Sequence, residues 1–300
     1  MNAARLEVPS RLKMSSVLKN VWLTTKPGLS RLVLLTALCG AAVAPGTLTQ
    51  AQWLGLTFGT WFIVMAANIF NGVLEKDVDL VMLRTQKRPL ATGELSTSMA
   101  LFFGFVLSIL ALVILAISTQ FITALLGFLG FFSYVFIYTP LKRVSVSALF
   151  VGAIPGAIPP MMGWSAQTGG LELGAWVLFL ILFFWQLPHF IAIALNRQSE
   201  YSAAGLKTIP EESGKRSAFI HMIWYSGFLF IVSILPYFLE LAGKFYLITT
   251  VLLSFFFFSI CVAGLLKANT LKWGRLIFFG SLIYLPFVLG GWVLDLFLTK

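Results

Sequence analysis

The chain has 300 residues, 59% of them hydrophobic and only 11% charged, with a net charge of +10 and a mean hydropathy of +0.92. A soluble domain carries about 25% charged residues, so this composition excludes a water-soluble globular fold and calls for a bilayer as solvent. The positive charge does not point to nucleic acid, because the cations sit in short loops between apolar runs and form no single basic face.

In chain order, the first 26 residues carry Arg5, Arg11, Lys13, Lys19 and Lys26 but no apolar core and no small-residue cleavage site. The pattern predicts no cleavable signal peptide. It predicts a basic segment, residues 1–27, on the cytoplasmic membrane surface. A spanning helix needs about 20 mostly apolar residues. Nine stretches approach this: 28–46, 53–75, 97–118, 120–139, 147–165, 173–195, 218–238, 245–266 and 276–297. Three breaks between them are long and polar, at 76–96, 140–147 and 196–217. The expected architecture is therefore an all-α integral membrane domain over residues 28–300, with nine transmembrane helices.

Basic residues give an independent check. With the N-terminus cytoplasmic and the C-terminus outside, segments 1–31, 76–96, 140–147, 196–217 and 267–275 face the cytoplasm. They hold 19 of the 21 Lys and Arg, leaving only Lys244 and Lys300 elsewhere. This is the asymmetry that the positive-inside rule expects. Spans two and six both end in charged helix termini followed by a basic loop and a proline, Pro89 or Pro210. That similarity suggests two related halves around a central cavity. Cys39 and Cys261 lie in apolar runs without metal-type spacing and read as small packing residues.

The first constellation lies at the end of span two. Asn68, Asn71, Glu75 and Asp79 are spaced by three, four and four residues and share one helical face. Asp77 points the other way. Carboxylates stacked in this way repel unless a cation neutralises them. Oxygen donors of this kind suit Mg²⁺, which takes one or two carboxylates and shares its other positions with water and phosphate. Arg84, Lys87 and Arg88 follow immediately, as a diphosphate beside such a metal requires. The alternative is a solvated helix end with a topogenic loop, which accounts for the cations but not for the acids and Asn on one face.

The second constellation is at the end of span six, where His189, Asn196 and Glu200 are separated by seven and four residues with Arg197 beside them. Polar groups inside a span are costly and usually face a cavity or a partner. His189 follows Pro188, which would bend the helix and turn the imidazole inward; a hydrogen-bonded structural histidine is the other reading. His221, at the edge of span seven, reads as an interfacial anchor. Between the constellations, Lys142 and Arg143 place two further cations on the cytoplasmic side. The Gly and Pro cluster from Gly152 to Trp164 is expected to break span five at depth, as is tolerated where backbone lines a cavity.

With these residues in place, the chain resembles the UbiA-type intramembrane prenyltransferases. Asn71, Glu75 and Asp79 match the superfamily's first aspartate-rich motif, with Glu replacing the first Asp. Asp77, Met82, Arg84-Thr85 and Arg88-Pro89 resemble the haem-farnesylating branch. So do Tyr138 to Arg143, Gly156 to Trp164, and Trp185 to Tyr201, where Glu200 stands in the place of the usual Asp. The resemblance covers nearly all nine spans.

It implies transfer of a farnesyl group from farnesyl diphosphate to a vinyl group of haem B, giving haem O and diphosphate. Asn71, Glu75 and Asp79, with Glu200 from the other half, would hold Mg²⁺ against the diphosphate. Arg84, Lys87, Arg88, Lys142, Arg143 and Arg197 would stabilise the departing charge, and His189 would contact haem or act as a base. A multi-pass location in the cell membrane follows (the inner membrane in a Gram-negative source), with a haem-A-forming enzyme as candidate recipient of the product. Two alternatives are a related enzyme with a quinone-precursor or chlorophyllide acceptor, and a small-molecule transporter using the acidic patch.

Overall fold

A chain surrounded by hydrocarbon must satisfy its own backbone N–H and C=O groups, so its apolar runs fold as helices. A computed structural model describes residues 14–267 and 270–298, and all regular structure there is helical. Arg5, Arg11, Lys13 and Lys300 lie outside the described residues. The chain begins with α1 (Met14–Thr24), α2 (Pro27–Val43) and α3 (Gln50–Leu74), followed by the short α4 (Lys76–Val81) and α5 (Pro89–Thr92). Next come α6 (Thr97–Ser118) and α7 (Phe121–Phe132), which runs through a π-helical stretch, Ser133–Tyr138, into α8 (Thr139–Leu141). The rest comprises α9 (Ala148–Thr168), α10 (Leu173–Asn196), the short α11 (Gln198–Ala203) and α12 (Ile209–Glu212), then α13 (Gly214–Phe238), α14 (Lys244–Leu266) and α15 (Thr270–Leu298).

Among the described residues, seven segments are long and apolar enough to cross a membrane: α3, α6, Phe121–Leu141, α10, α13, α14 and α15. Helices α1 and α2 together make an eighth, bent by 53° at the break between them. The protein is therefore a multi-pass membrane protein. The two other expected stretches also form helices, but α2 has 17 residues and α9 is diluted by Gly, Pro and polar residues.

The helices are amphipathic in the inverted sense. On α6 the buried positions are Ala100, Gly104, Ser108, Ala111 and Leu115, while Phe102, Phe105, Ile109, Val113 and Ile117 are exposed. Small residues inward let neighbouring backbones approach closely, which is how helices associate where the surroundings are as apolar as leucine. The same device joins α2 to α9. A Cβ on Gly163 would come within 1.9 Å of Ala37 O, and one on Gly40 within 2.1 Å of Pro160 O.

Two expectations about proline need correction. Helix α9 runs unbroken through Pro155, Pro159 and Pro160, because the packing of α2 and α10 holds the helix where its own ladder lacks N–H donors. Gln186 of α10 donates to Ala153 O at 3.2 Å in this region. Helix α10 likewise continues through Pro188, and His189 faces α15 rather than the interior.

Helices α2, α3, α7, α9 and α10 surround an apolar cavity of about 240 Å³. At one end the long polar loops interlock above it. Lys207 N–H donates to Lys142 O at 3.0 Å, and Val78, Met82 and Leu206 pack together with Tyr201. Away from this end, Asp295 of α15 is fully buried and accepts from Gly243 N–H and from Tyr246 N–H (3.0 Å) at the start of α14. That contact satisfies donors a helix N-terminus otherwise leaves open.

Candidate active site

The site is built where α3 gives way to α4. Glu75 forms the junction at φ −106°, ψ 12°, so the expected single helix is really two. The ladder nevertheless bridges the break, with Glu75 N–H to Asn71 O at 3.0 Å and Asp79 N–H to Glu75 O at 2.8 Å. Asn71, Glu75 and Asp79 therefore keep their spacing and are all buried.

Buried acids need partners, and each one here has a cation. Lys142 forms an ion pair with Glu75. Arg88 donates to both Asp79 oxygens at 2.9 Å. Lys26 Nζ reaches Asn71 Oδ1 at 2.6 Å, while Asn71 Nδ2 donates to Thr139 Oγ1 at 3.1 Å. Glu75, Asp79, Arg88 and Lys142 all lie within electrostatic reach of Lys26. Three basic side chains thus face two carboxylates, and burial and then Arg88 pull the third, Lys26, down to a pKa of about 7, so it gains its full charge when a further anion joins the cluster. Burial works against the Lys142 charge, but Tyr138 and Glu75 beside it hold its pKa above the usual lysine range. Its ammonium also lies 5.2 Å from the centre of the Tyr138 ring.

Lys26 has no signal in the sequence that separates it from the other N-terminal cations. The turn between α1 and α2 delivers it, in the left-handed region at φ 50°. That conformation is uncommon for a residue with a Cβ, and such strain tends to gather at functional sites. Lys26, at the end of the basic N-terminal segment, thus reaches the centre of the cluster.

The charged residues themselves do not line the apolar cavity; Tyr138, which does, joins it to the cluster through the Lys142 ammonium. Asn68, Tyr134 and Tyr138 line the cavity at the charged end, and Ile63, Gly127 and Met162 line it further along. Gly152 makes room for the Tyr138 ring, which a Cβ there would meet at 2.5 Å. The Tyr134–Tyr138 pair, spaced four residues apart, carried a readable signal as a polar aromatic stripe before Thr139.

Other expected site residues are placed differently. Asp77 is exposed and bound through both oxygens by Arg143 at 2.6 and 2.7 Å, so Arg143 faces away from the cluster. Those hydrogen bonds hold the Asp77 carboxyl below its ordinary range. Arg84 and Lys87 are exposed on the loop and make no ion pair among the described residues. Glu200 pairs with Arg197 at 3.0 Å, and its other oxygen is buried without a hydrogen-bond partner. His189 lies outside the cavity lining, stacked between Trp185 and Phe278, with Nδ1 2.7 Å from Ser281 Oγ. His221 bonds to Ser217 O at 2.9 Å, within its own helix.

Among the described residues no three His, Cys, Asp or Glu side chains converge closely enough to hold a metal unaided. The oxygen donors Asn71, Glu75 and Asp79 still fit Mg²⁺, which binds through one or two carboxylates plus substrate phosphates rather than in an all-protein cage.

A membrane-spanning helical bundle that sets basic side chains and acidic oxygens beside an apolar cavity suits an anionic ligand with a long apolar tail. The chain belongs to the UbiA prenyltransferase family, whose model matches residues 33–283. It is 42% identical over 271 residues to the protoheme IX farnesyltransferase of Myxococcus xanthus, covering 90% of this chain and 92% of that one. It is 34% identical to the protoheme IX farnesyltransferase of Aquifex aeolicus, covering 94% and 96%. The fold matches a digeranylgeranylglyceryl phosphate synthase with a TM-score of 0.81 at 18% identity, covering 94% and 99%. It also matches a UbiA homologue from Archaeoglobus fulgidus bound to DMAPP and Mg²⁺, with a TM-score of 0.68 at 16% identity, covering 92% and 97%.

Proposed function

We propose that this chain transfers the farnesyl group of farnesyl diphosphate to a vinyl group of protohaem IX (haem B), giving haem O and diphosphate. The observation that carries this reading is the cluster of Lys26, Arg88 and Lys142 with Glu75 and Asp79, set next to Tyr138, which lines the apolar cavity and carries the Lys142 ammonium 5.2 Å from its ring centre. The haem acceptor is supported by the full-length relatives that bear the name protoheme IX farnesyltransferase.

The diphosphate would sit among the cations, with its tail in the cavity. When bound, Mg²⁺ would be held by Asn71, Glu75 and Asp79, with Glu200 from the third loop, and would neutralise charge on the diphosphate. Lys26 would turn from Asn71, and Arg88 and Lys142 from the acids, to the leaving oxygens as the allylic C–O bond breaks. Arg84, Lys87 and Arg197 line the approach. The farnesyl cation then sits against Tyr134 and Tyr138, away from bulk water. The vinyl group's terminal carbon bonds to the farnesyl carbon, and water adds to the neighbouring carbon with loss of a proton.

We further propose nine crossings with a cytoplasmic N-terminus, an outside C-terminus and two related halves, supported by the 19 of 21 basic residues on one side. That orientation puts the charged cluster at the cytoplasmic face, of the inner membrane in a Gram-negative source. A haem-A-forming enzyme is the proposed recipient of the product. The decisive experiment is incubation of the purified protein with haem B, farnesyl diphosphate and Mg²⁺, followed by mass analysis of the haem. Haem O with stoichiometric diphosphate supports the reading. Unchanged haem B, with prenylation of a quinone precursor instead, replaces it with the related acceptor class.

A further inference from the structure

The charged cluster accounts for the diphosphate and the cavity for the apolar tail, yet the reaction also consumes a water, which neither of them holds. A prenyl chain offers no hydrogen-bond donor, so a wall that serves the tail alone needs no acceptor. Gln186 of α10, on the cavity wall, supplies one. The side chain is buried, and both hydrogens of its Nε2 are committed to main-chain oxygens, Ala153 O at 3.2 Å and Leu182 O at 2.9 Å. Carbonyls can only accept, so the amide cannot be turned over, and Oε1 is left as a fixed acceptor. It has no hydrogen-bond partner among the described residues, yet it is not sealed in.

Oε1 rests against Gly156 of α9, where a Cβ would come within 1.9 Å of it. Gly156 lines the cavity as well. Its own main-chain oxygen lacks its usual helical donors, because residues 159 and 160 are both proline. Two acceptors thus gather at one glycine. The place along the cavity fits the chemistry. Gly152 meets the Tyr138 ring at the charged end, Gly156 lies about one turn further along α9, and Met162 lines the far part. Gln186 therefore stands just past the diphosphate position, where the new carbon–carbon bond forms, and not at the end of the tail.

We propose that Gln186 Oε1 holds the water that adds to the vinyl-derived carbon, which makes Gln186 the positioning residue for hydration. Once the terminal vinyl carbon has bonded to the farnesyl carbon, positive charge rests on the neighbouring carbon beside the porphyrin ring. A water that donates one hydrogen to Oε1 turns an oxygen lone pair towards that carbon, and the hydrogen bond makes its oxygen more nucleophilic. The C–O bond forms and one proton leaves the water. An amide oxygen is too weak a base to keep this proton, which passes to the diphosphate released in the same turnover. Farnesyl diphosphate, haem B and water are thereby recovered in full as the hydroxylated haem and protonated diphosphate. The assignment rests on the haem-acceptor reading above and deepens it.

The test is the mass of the product. Without a held water the cationic carbon's neighbour loses a proton instead, giving an alkenyl haem lighter than haem O by one water. Purified full-length protein in lipid nanodiscs is incubated with haem B, farnesyl diphosphate and Mg²⁺. Gln186→Leu should raise the ratio of dehydrated to hydrated haem by about tenfold or more, the scale for losing the orientation of a reacting group. Its KM for farnesyl diphosphate should stay constant. Gln186→Glu, which keeps an acceptor oxygen, should restore haem O in part, and Gly156→Ala, which displaces Oε1, should act as Gln186→Leu does. One measurement needs no variant to fold. Wild type with haem B and the slow-ionising farnesyl thiodiphosphate, imaged at a resolution that shows ordered water, should carry a water on Oε1. An unchanged product ratio in folded Gln186→Leu, or no water on Oε1 in that map, overturns the proposal. If the wild type makes haem O in that case, the functional reading stands and only this assignment falls. If the wild type makes no haem O, the functional reading falls whatever the map shows.

Discussion

The ammonium of Lys26 donates to the amide oxygen of Asn71 at 2.6 Å across a sequence separation of 45 residues. That bond brings the segment before α2 into a cluster otherwise made by the α3–α4 junction, Arg88 just before α5 and the loop after α8. Asn71, Glu75 and Asp79 are each matched by one of the chain's own basic side chains, and binding a diphosphate would exchange those partners.

Lys26→Met should therefore raise the KM for farnesyl diphosphate. A hydrogen bond to a charged group contributes about 1.5–3 kcal/mol, so the expected rise is roughly ten- to a hundredfold. Lys26→Arg keeps the charge and should recover part of the loss. Steady-state kinetics at saturating haem reads both, and an unchanged KM in Lys26→Met removes Lys26 from the diphosphate site.

Glu75→Gln and Asp79→Asn should each lower kcat by about a hundredfold or more, the scale of losing one group that stabilises developing charge. Both are near-isosteric but leave Lys142 or Arg88 without its counter-charge, so the melting point should fall, and turnover is compared per folded molecule recovered from the membrane. Wild-type turnover in both variants would remove the acids from the mechanism.

Asp77→Asn should behave differently, although the residue lies only two positions from Asp79. Its pair with Arg143 is exposed, and such pairs contribute about 0–1 kcal/mol. Activity should stay within about twofold of wild type and the melting point should move little. Because the folded carboxyl sits below its ordinary 3.8, the pair's small stabilisation is present above that pH. It fades as the pH drops through the depressed value. Thermal melts of wild type and variant should therefore converge in acid and differ slightly near neutrality.

Gly130 lines the cavity, and a Cβ there would meet Ile158 at 3.5 Å, an ordinary contact. Gly130→Ala should be tolerated, whereas Gly130→Leu fills space that the tail needs. The larger variant should shift selectivity from farnesyl towards geranyl diphosphate by about tenfold or more in kcat/KM. Competition between the two donors, read by product mass, measures it.

Asp295→Ala removes the acceptor for Gly243 N–H and Tyr246 N–H at the start of α14. The cost should be about 2 kcal/mol of stability. Specific activity per folded molecule should not change, because the contact lies away from the charged cluster.

Much of this was legible in the sequence. Apolar run lengths located the helices, and the three-four-four spacing of Asn68, Asn71, Glu75 and Asp79 located the acidic face, because both follow from helix periodicity alone. Asp77 fell off that face for the same reason. Lys26 was not legible, since its position depends on a left-handed turn and a contact distant in the chain. Arg143 misled because charge in a loop does not say which acid it will meet, and Asp77 is nearer than the cavity. The prolines of α9 and Pro188 misled because tertiary packing can sustain a helix that local rules would break.

The main-chain bond from Lys207 N–H to Lys142 O is independent of which side chains stand at either position. Substitutions at 142 can erase the counter-ion of Glu75 and leave the loops latched together. Only a change that removes the N–H itself, such as Lys207→Pro, would undo the latch while leaving every charge of the cluster in place. Lys142 thus belongs to two inheritable layers, one written in side-chain chemistry and one in backbone geometry, which can drift apart over evolutionary time without either disturbing the other.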